Sequence, residues 1–453
     1  MYTLDDTIAA IATPVGLGGI GIVRLSGPDA LPIVRRVFRL PSGPLGQVRS
    51  HRLYHGWIHD PATGRAVDEA LMSYMRAPRS YTCEDVVEMN VHGGPVPLRE
   101  TLSLCLDQGA RQAGGGEFTL RAFLNGRLDL SQAEAVLDVI QSRTSQALRV
   151  AEAQLAGGLS REIYALRRRL LELLAHVQAT IDFPEDVSSP DLTAETGTIR
   201  ARLEWLVREA ERGALYRQGL HTAIVGRPNV GKSSLLNALL RKDRAIVTAV
   251  PGTTRDTLEE SVSLGGIPLV LVDTAGLSQS PDPVERLGVE RSKQALAQAD
   301  LVLMVCDGSE APRTEDCAVA QMLGSARVVL VLNKSDLGSA PGYEAILPAV
   351  PRVTISALTG AGLDALESVL VDAALGGASD GADPVASNPR HRDLLLRARN
   401  HLDDLEAALS RGVPLDLISI DLSEAVAALG QITGEEASEQ LLETIFGRFC
   451  IGK

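Results

Sequence analysis

The period of the apolar residues changes along the chain, and each change marks a different kind of structure. Up to about residue 120 apolar and polar positions alternate in short runs, as in HRLYHGWIH before Asp60–Pro61–Ala62–Thr63–Gly64. That period predicts strands and hairpins with a helix or two. From Phe118 the steps become three and four. Ser131-Gln-Ala-Glu134 has the form of a capping box ahead of Val136, Val139, Ile140, Ala147 and Val150. Ile163, Leu166, Leu170, Leu174, Val177 and Ile181 then predict a longer helix with Arg167–Arg169 on its solvated side, and Ile199, Leu203, Leu206 and Ala210 a further one. From about 217 to 375 short apolar runs at 268–272, 301–305, 327–332 and 352–355 alternate with helical stretches. Such runs suit buried, largely parallel strands of a doubly wound sheet, whose ligand site lies at the strand C-terminal ends. Gly376 to Pro389 reads as a linker rich in small and polar residues. Helical spacing returns in Leu394–Leu409, Leu422–Leu429 and Leu441–Phe446. The architecture expected is multidomain α/β plus all-α: an N-terminal α+β domain (1–120), a helical domain in two halves (121–216 and 379–453), and an α/β domain (217–378) inserted between them.

Composition narrows the function classes. Of 453 residues 45% are apolar but only 3% aromatic, so the cores are built from Leu, Val, Ile and Ala. A net charge of −13 argues against a chain that wraps nucleic acid through a broad basic surface of its own. The five cysteines, Cys83, Cys105, Cys306, Cys317 and Cys450, contain no C-x-x-C pair and fit reduced thiols. MYTLDDTIAAIATP lacks the basic start of a signal peptide, and no run reaches membrane-spanning length. A cytoplasmic protein without a membrane partner is expected.

Three apparent motifs are set aside. Gly16–Gly21 matches G-x-G-x-x-G but leads into the β-like run Ile22, Val23, Leu25 rather than a helix. His51, His55 and His59 recur every fourth residue, yet the alternation around them favours a hairpin strand over a metal site. Gly377-Ala-Ser379-Asp-Gly381 matches G-x-S-x-G without a flanking strand or helix.

Gly226–Arg–Pro–Asn–Val–Gly231–Lys232–Ser233 is different, because the apolar run Leu220–Val225 leads in and a helical pattern leads out. A strand, a glycine-rich turn and a helix N-terminus aim backbone N–H groups at phosphate; Lys232 reaches the β/γ oxygens and Ser233 suits Mg²⁺. Four further signatures follow in the order a GTPase requires. Gly252–Thr253–Thr254 supplies a threonine for Mg²⁺ and the γ-phosphate; Asp273–Thr–Ala–Gly276 places a carboxylate near the metal and an N–H near the γ-phosphate. Asn333–Lys334–Ser–Asp336 selects guanine, since Asp336 can accept from both N1–H and the 2-amino group, and Ser356–Ala357–Leu358 completes the base pocket. The predicted GTP-binding set is Asn229, Val230, Gly231, Lys232, Ser233, Ser234, Thr248, Ala249, Val250, Pro251, Gly252, Thr253, Thr254, Asp273, Thr274, Ala275, Gly276, Asn333, Lys334, Asp336, Ser356, Ala357 and Leu358. One position departs from Ras-like enzymes: Leu277 stands where they carry a water-orienting glutamine. Glu285 is the candidate replacement.

With these motifs in place, the chain resembles the MnmE or TrmE family of tRNA uridine-modifying GTPases over nearly its whole length. The likeness runs through Asp6–Thr7–Ile8, Ala12–Thr13–Pro14, Gly18–Arg24, Glu84–Asp85, His92–Pro95, Phe118–Leu130, the GTPase set and the terminal Cys450–Ile–Gly–Lys453. It implies a Ras-like doubly wound P-loop GTPase domain inserted into a discontinuous helical domain, preceded by an α+β folate-binding, dimer-forming domain. By likeness Arg24, Glu84, Arg127 and Lys453 hold a tetrahydrofolate derivative (5-formyl or methylene form), although several relatives carry lysine at the position of Arg127. Asn229, Thr253 and the carbonyls of Thr248 and Val250 match K⁺ ligand positions, Ser233 and Thr254 those of Mg²⁺, and Glu285 the catalytic glutamate. The implied product is an aminomethyl or carboxymethylaminomethyl group on C5 of the wobble uridine of certain tRNAs. The implied partners are a second copy of the chain, an FAD-dependent flavoprotein of the MnmG or GidA kind, and tRNA. An Era-like regulatory or ribosome-assembly GTPase with a structural N-terminal module is the competing class; no KH-like pattern follows the G domain. Cys450 suits a small buried apolar position better than a nucleophile.

Overall fold

The computed structural model describes residues 5–14, 16–188, 191–242, 261–271, 299–324, 326–375 and 384–453. Strand alternation in the first part of the chain builds one eight-stranded sheet. Its strands are β1 (Ile8–Ile11), β2 (Ile20–Ser26), β3 (Phe38–Leu40), β4 (Gly43–Pro44), β5 (Arg52–His59), β6 (Ala66–Met75), β7 (Val86–His92) and β8 (Arg111–Gln112). They lie in the order β4-β3-β5-β6-β7-β2-β1-β8, antiparallel except for the β1–β8 pair. Helices Ala30–Val37 and Pro95–Asp107 cover one face, closing a core of Val23, Leu25, Ile58, Met72, Met89, Ile33 and Leu98. His55 and His59 lie on strand β5, paired with β6 across the turn at Asp60, and His51 lies just ahead of it. His51, His55 and His59 each take a separate partner there: Ser50 Oγ, Glu69 Oε1 and the Gly64 carbonyl.

Heptad-like spacing in two distant parts of the sequence forms a single bundle. Helices Gly158–Asp182 and Leu192–Gln218 pack against Pro389–Ser410 and Leu415–Thr433, and Leu170, Leu203, Leu206, Leu395, Leu402 and Leu429 are each 0% exposed in their shared core. Removing any one such leucine side chain would cost about 2–5 kcal/mol. Leu130–Gln141 and Ser145–Leu155 form a helical corner beside this bundle. The capping box of the first of them lies two residues ahead of the expected one. Asp129 accepts from the Gln132 N–H while the Gln132 side chain accepts from the Asp129 N–H. Starting at Leu130 buries Leu130 and Ala133 together, and it turns Ser131 and Glu134 inward as core polar groups.

Between the two halves of the bundle in sequence comes a six-stranded sheet of β9 (Leu220–Val225), β10 (Ser261–Leu264), β11 (Ile267–Leu271), β12 (Leu301–Asp307), β13 (Val328–Asn333) and β14 (Arg352–Thr354). The order is β10-β11-β9-β12-β13-β14, parallel except at the β10–β11 hairpin. Helices Lys232–Lys242 and Leu363–Leu375 supply Leu235, Leu239, Leu366 and Leu370 to its core. The stretch read as a linker ends differently from its composition. Ala386, Ser387 and Asn388 are buried, and Asn388 caps the helix that begins at Pro389. The Gly377–Gly381 motif lies outside the described residues.

Candidate functional site

The phosphate loop is shaped by backbone that glycine permits and one asparagine tolerates. Gly226 and Gly231 have φ of 150° and 98°, and Asn229 sits in the left-handed region at 64°. At Gly231 a Cβ would come 2.2 Å from Asn333 Nδ2, so a side chain there would drive the two loops apart. Val230 is 0% exposed, which anchors the loop from below. Helix Lys232–Lys242 starts directly after the loop, so its first-turn N–H groups face the loop mouth. The Lys232 Nζ donates to the carbonyls of Gly226 and Arg227 at 2.8 Å each. Burial lowers its pKa, so an anionic partner would hold this cation more favourably than two neutral carbonyls.

The candidate base pocket is assembled from strand ends. Asn333 closes β13 with its side chain 2% exposed. Its Nδ2 donates to the Val230 carbonyl at 2.9 Å and its Oδ1 accepts from the Ala357 N–H at 2.9 Å, which ties the phosphate loop to the base loop. Lys334 is left-handed at φ 66°, and its Nζ reaches Asp307 Oδ2 at the end of β12 at 2.6 Å. Asp307, which sequence reasoning missed, therefore sets the height of the lysine. Asp336 is exposed, and its Oδ1 accepts from Ser356 Oγ at 2.5 Å. Leu358 is 84% exposed on the same rim. Asn229–Ser234, Asn333, Lys334, Asp336 and Ser356–Leu358 thus follow the C-terminal ends of the parallel strands β9, β13 and β14. Thr248–Thr254, Asp273–Gly276, Leu277 and Glu285 lie outside the described residues.

A second cluster joins the two ends of the chain. The Gly115–Ile451 bridge and the Phe118 N–H, which donates to the backbone oxygen of Lys453 at 3.1 Å, dock the terminal residues on the first domain's edge. At Gly452 φ is 94°, and a Cβ would meet the Ile11 carbonyl at 2.3 Å. Arg24 on β2 donates to Glu88 Oε1 at 2.7 Å and to the Gly452 carbonyl at 3.2 Å. Glu84 accepts from Ser26 Oγ at 2.7 Å and from Arg121 Nη1 at 3.2 Å. Arg127 donates to the Tyr81 carbonyl at 2.7 Å, and its guanidinium lies 5.0 Å from the Tyr81 ring centre. Cys450 is exposed, contrary to the expectation of burial; Phe449 fills the apolar site instead, at 5% exposed.

Arg121 was not among the residues singled out, yet it organises this cluster. It is 1% exposed and contacts Asp6, Glu84 and Glu117, while Arg111 contacts Asp6 and Glu117 from outside. Burial raises the pKa of Asp6 and of Glu117, but the arginine contacts outweigh it and hold both carboxyls below their ordinary values. Three carboxylates against two guanidiniums leave one negative charge over, and Glu84 is the member without an Arg111 contact among the described residues. The signal was available: EFTLRAFL is an apolar helix with one cation in its middle.

A strand–loop–helix phosphate cradle beside an Asn-Lys-x-Asp rim, on a mostly parallel sheet, defines a P-loop GTPase. This one is set into a helical bundle and preceded by an α+β domain. Residues 7–127 match the N-terminal domain family of the GTP-binding protein TrmE, and residues 130–450 match the MnmE helical domain family. The chain is 51% identical to the tRNA modification GTPase MnmE of Roseiflexus castenholzii, over 99% of this chain and 99% of that one. It is 51% identical to that of Chloroflexus aurantiacus (99% and 100% covered) and 50% identical to that of Symbiobacterium thermophilum (99% and 100%). The chain belongs to the MnmE family of tRNA modification GTPases. Among the described residues no helix is long and apolar enough to cross a membrane.

Proposed function

We propose that this chain hydrolyses GTP to drive modification of C5 of the wobble uridine of certain tRNAs. In this reading an FAD-dependent flavoprotein is its partner and a tetrahydrofolate derivative its one-carbon donor. The division of labour is residues 1–120 for folate and dimer formation, 217–378 for GTP, and 121–216 with 379–453 as the helical domain between them. The product is an aminomethyl or carboxymethylaminomethyl group, and the protein works in the cytoplasm as a homodimer.

The observation that carries the reading is the return of the C-terminal tail to β2. It places Gly452 and Lys453 beside Arg24, on the domain edge that also carries Glu84 and Arg127. Cations at Arg24, Arg127 and Lys453 suit a carboxylate-bearing tail, and the surplus charge at Glu84 suits the N–H donors of a pterin ring. When bound, the folate supplies a one-carbon unit. The chain's own part is to hold Glu84 as an acceptor through Ser26 and Arg121.

In the nucleotide site Lys232 and the loop amides hold the phosphates, Ser233 and Thr254 hold Mg²⁺, and Asp336 reads guanine. Asn229, Thr253 and the carbonyls of Thr248 and Val250 take K⁺, whose charge substitutes for an arginine finger when two G domains pair. Glu285 orients the attacking water in place of the glutamine that Leu277 replaces. Nucleoside mass spectrometry of tRNA from a strain lacking this chain tests the reading, since unchanged wobble uridines would sink it. GTP turnover that is equal in Na⁺ and K⁺ would remove the cation role.

A further inference from the structure

The β10–β11 hairpin lies between the two stretches of sequence that carry Thr254 and Asp273. Thr254 precedes the start of β10 by seven positions, and Asp273 follows the end of β11 by two. The hairpin turn is seated on the helical domain. Thr144 Oγ1 donates to the Gly266 carbonyl at 2.8 Å, and Gln146 stands behind Gly266 so closely that a Cβ there would come within 2.7 Å of it. Val150, from helix Ser145–Leu155, enters the same apolar core as Leu264 and Ile267 at the base of the turn. Thr144 is also the N-cap of that helix, accepting from the Ala147 N–H at 3.0 Å.

Beneath this corner is a packing defect. A cavity of about 30 Å³ lies between Asp138, Ser142, Val150, Arg217 and Ser387, room for a water molecule. Asp138 Oδ1 accepts from Arg217 Nε at 2.6 Å, while its Oδ2 is buried without a hydrogen-bond partner among the described residues. Arg217 lies in the last turn of the helix that leads into β9 and the phosphate loop. One turn back along Leu130–Gln141, Glu134 binds Asn388, Arg390 and His391 at the chain's exit from the G domain. Both crossings into the G domain are thus fastened to one helix. The N-cap of that helix, Asp129, stands two residues from Arg127.

We propose that Thr144 and Asp138 are positioning residues through which the state of the β10–β11 hairpin sets the position of Arg127 in the folate site. A twelve-residue helix is a rod of about 18 Å. Moved at its Asp138 end, it moves at its Asp129 end. The cavity gives the corner room to shift without breaking packed contacts, and the Arg217–Asp138 pair keeps the corner in register with the strand that carries the phosphate loop. The inference rests on the reading of Arg127 as a folate ligand.

The test is calorimetric titration of 5-formyltetrahydrofolate into the full chain, loaded with GDP or with a non-hydrolysable GTP analogue. The wild type should differ between the two states by about fivefold or more in affinity. Thr144→Val and Asp138→Asn should bring the two affinities within about twofold of each other while GTP affinity holds, and Thr144→Ser, which keeps the hydroxyl, should retain the difference. Variants that keep the full difference, or that weaken folate equally in both states, would overturn the proposal, as would a wild type that binds folate equally in both. A wild type that binds no folate in either state refutes the folate reading instead. Hydrogen exchange of residues 126–144 then decides the relay: nucleotide-dependent protection that Thr144→Val abolishes upholds it, and protection unmoved by the variant overturns it.

Discussion

Glu134→Gln tests the polar anchor that fastens the chain's exit from the G domain. Glu134 is 7% exposed; its Oε1 accepts from Asn388 Nδ2 at 2.9 Å and Arg390 Nε at 3.0 Å, its Oε2 from Arg390 Nη2 at 2.5 Å, and His391 Nε2 stands 2.7 Å from Oε2. Burial by itself would raise the carboxyl's pKa, but the His391 and Arg390 contacts outweigh it and carry the value down from 4.5 to about 2. At about 1.4 kcal/mol per pH unit that difference is worth about 3 kcal/mol of stability at neutral pH. This falls at the lower end of the cost of breaking a buried pair, about 3–5 kcal/mol. Glutamine keeps the volume but sets an NH₂ group against donors, so the deficit of the variant should be about 3 kcal/mol. The sign in pH follows from the depressed value. The carboxylate's contribution is complete above pH 4.5 and is lost as pH falls toward 2. By about pH 3.5 the wild type should have lost about 1 kcal/mol of it, so its lead over the variant narrows by about that much. Urea unfolding followed by Trp205 fluorescence in a Trp57→Phe background reports on the bundle, against whose core Trp205 packs. A deficit at neutral pH below about 0.5 kcal/mol, or one that does not shrink in acid, would refute the reasoning.

Other substitutions address the sites more directly. Asp336→Asn loses the acceptor for two guanine donors and should weaken GTP by roughly 10–100-fold while improving xanthosine triphosphate, read by fluorescent-nucleotide competition. Asn333→Ala unties Val230 from Ala357. The buried Val230 carbonyl is left unpaired at about 1–3 kcal/mol and the half-buried Ala357 N–H loses its acceptor, so nucleotide affinity should fall at least about tenfold in the same assay. Gly452→Ala must leave φ 94° and the Ile11 carbonyl. The tail should then detach from β2, and folate binding by calorimetry should be lost with GTP binding intact.

The element plan of the chain was legible because each part has an undiluted period. The parallel strands are continuous apolar runs, as sheets covered on both faces require, and the bundle helices hold leucine at three- and four-residue steps. The phosphate loop and the Asn-Lys-x-Asp rim were legible for another reason. Their chemistry uses residues close together in sequence, so spacing alone specifies the geometry. Where local signals competed, the sequence misled. Ser131–Glu134 imitates a capping box as well as Asp129–Gln132 does, and only the burial of Leu130 decides between them. The composition of residues 384–388 is that of a linker, yet contacts with helices remote in sequence bury four of them.

By itself, then, the sequence determined the succession of elements and the GTPase class, because hydrophobic period and short motifs are local properties. Tertiary structure alone decided which distant groups share a site. Arg121 is an unremarked cation in an apolar helix until Asp6, Glu84 and Glu117 converge on it. Arg24 and Gly452 are 428 residues apart in the chain and 3.2 Å apart in space. Glu134 and Asp138 look like ordinary helix carboxylates, but burial makes each need a partner, and the partners come from the helices on either side of the inserted domain. Long-range pairing of this kind is set by desolvation and close packing, and neither leaves a periodic trace in the sequence.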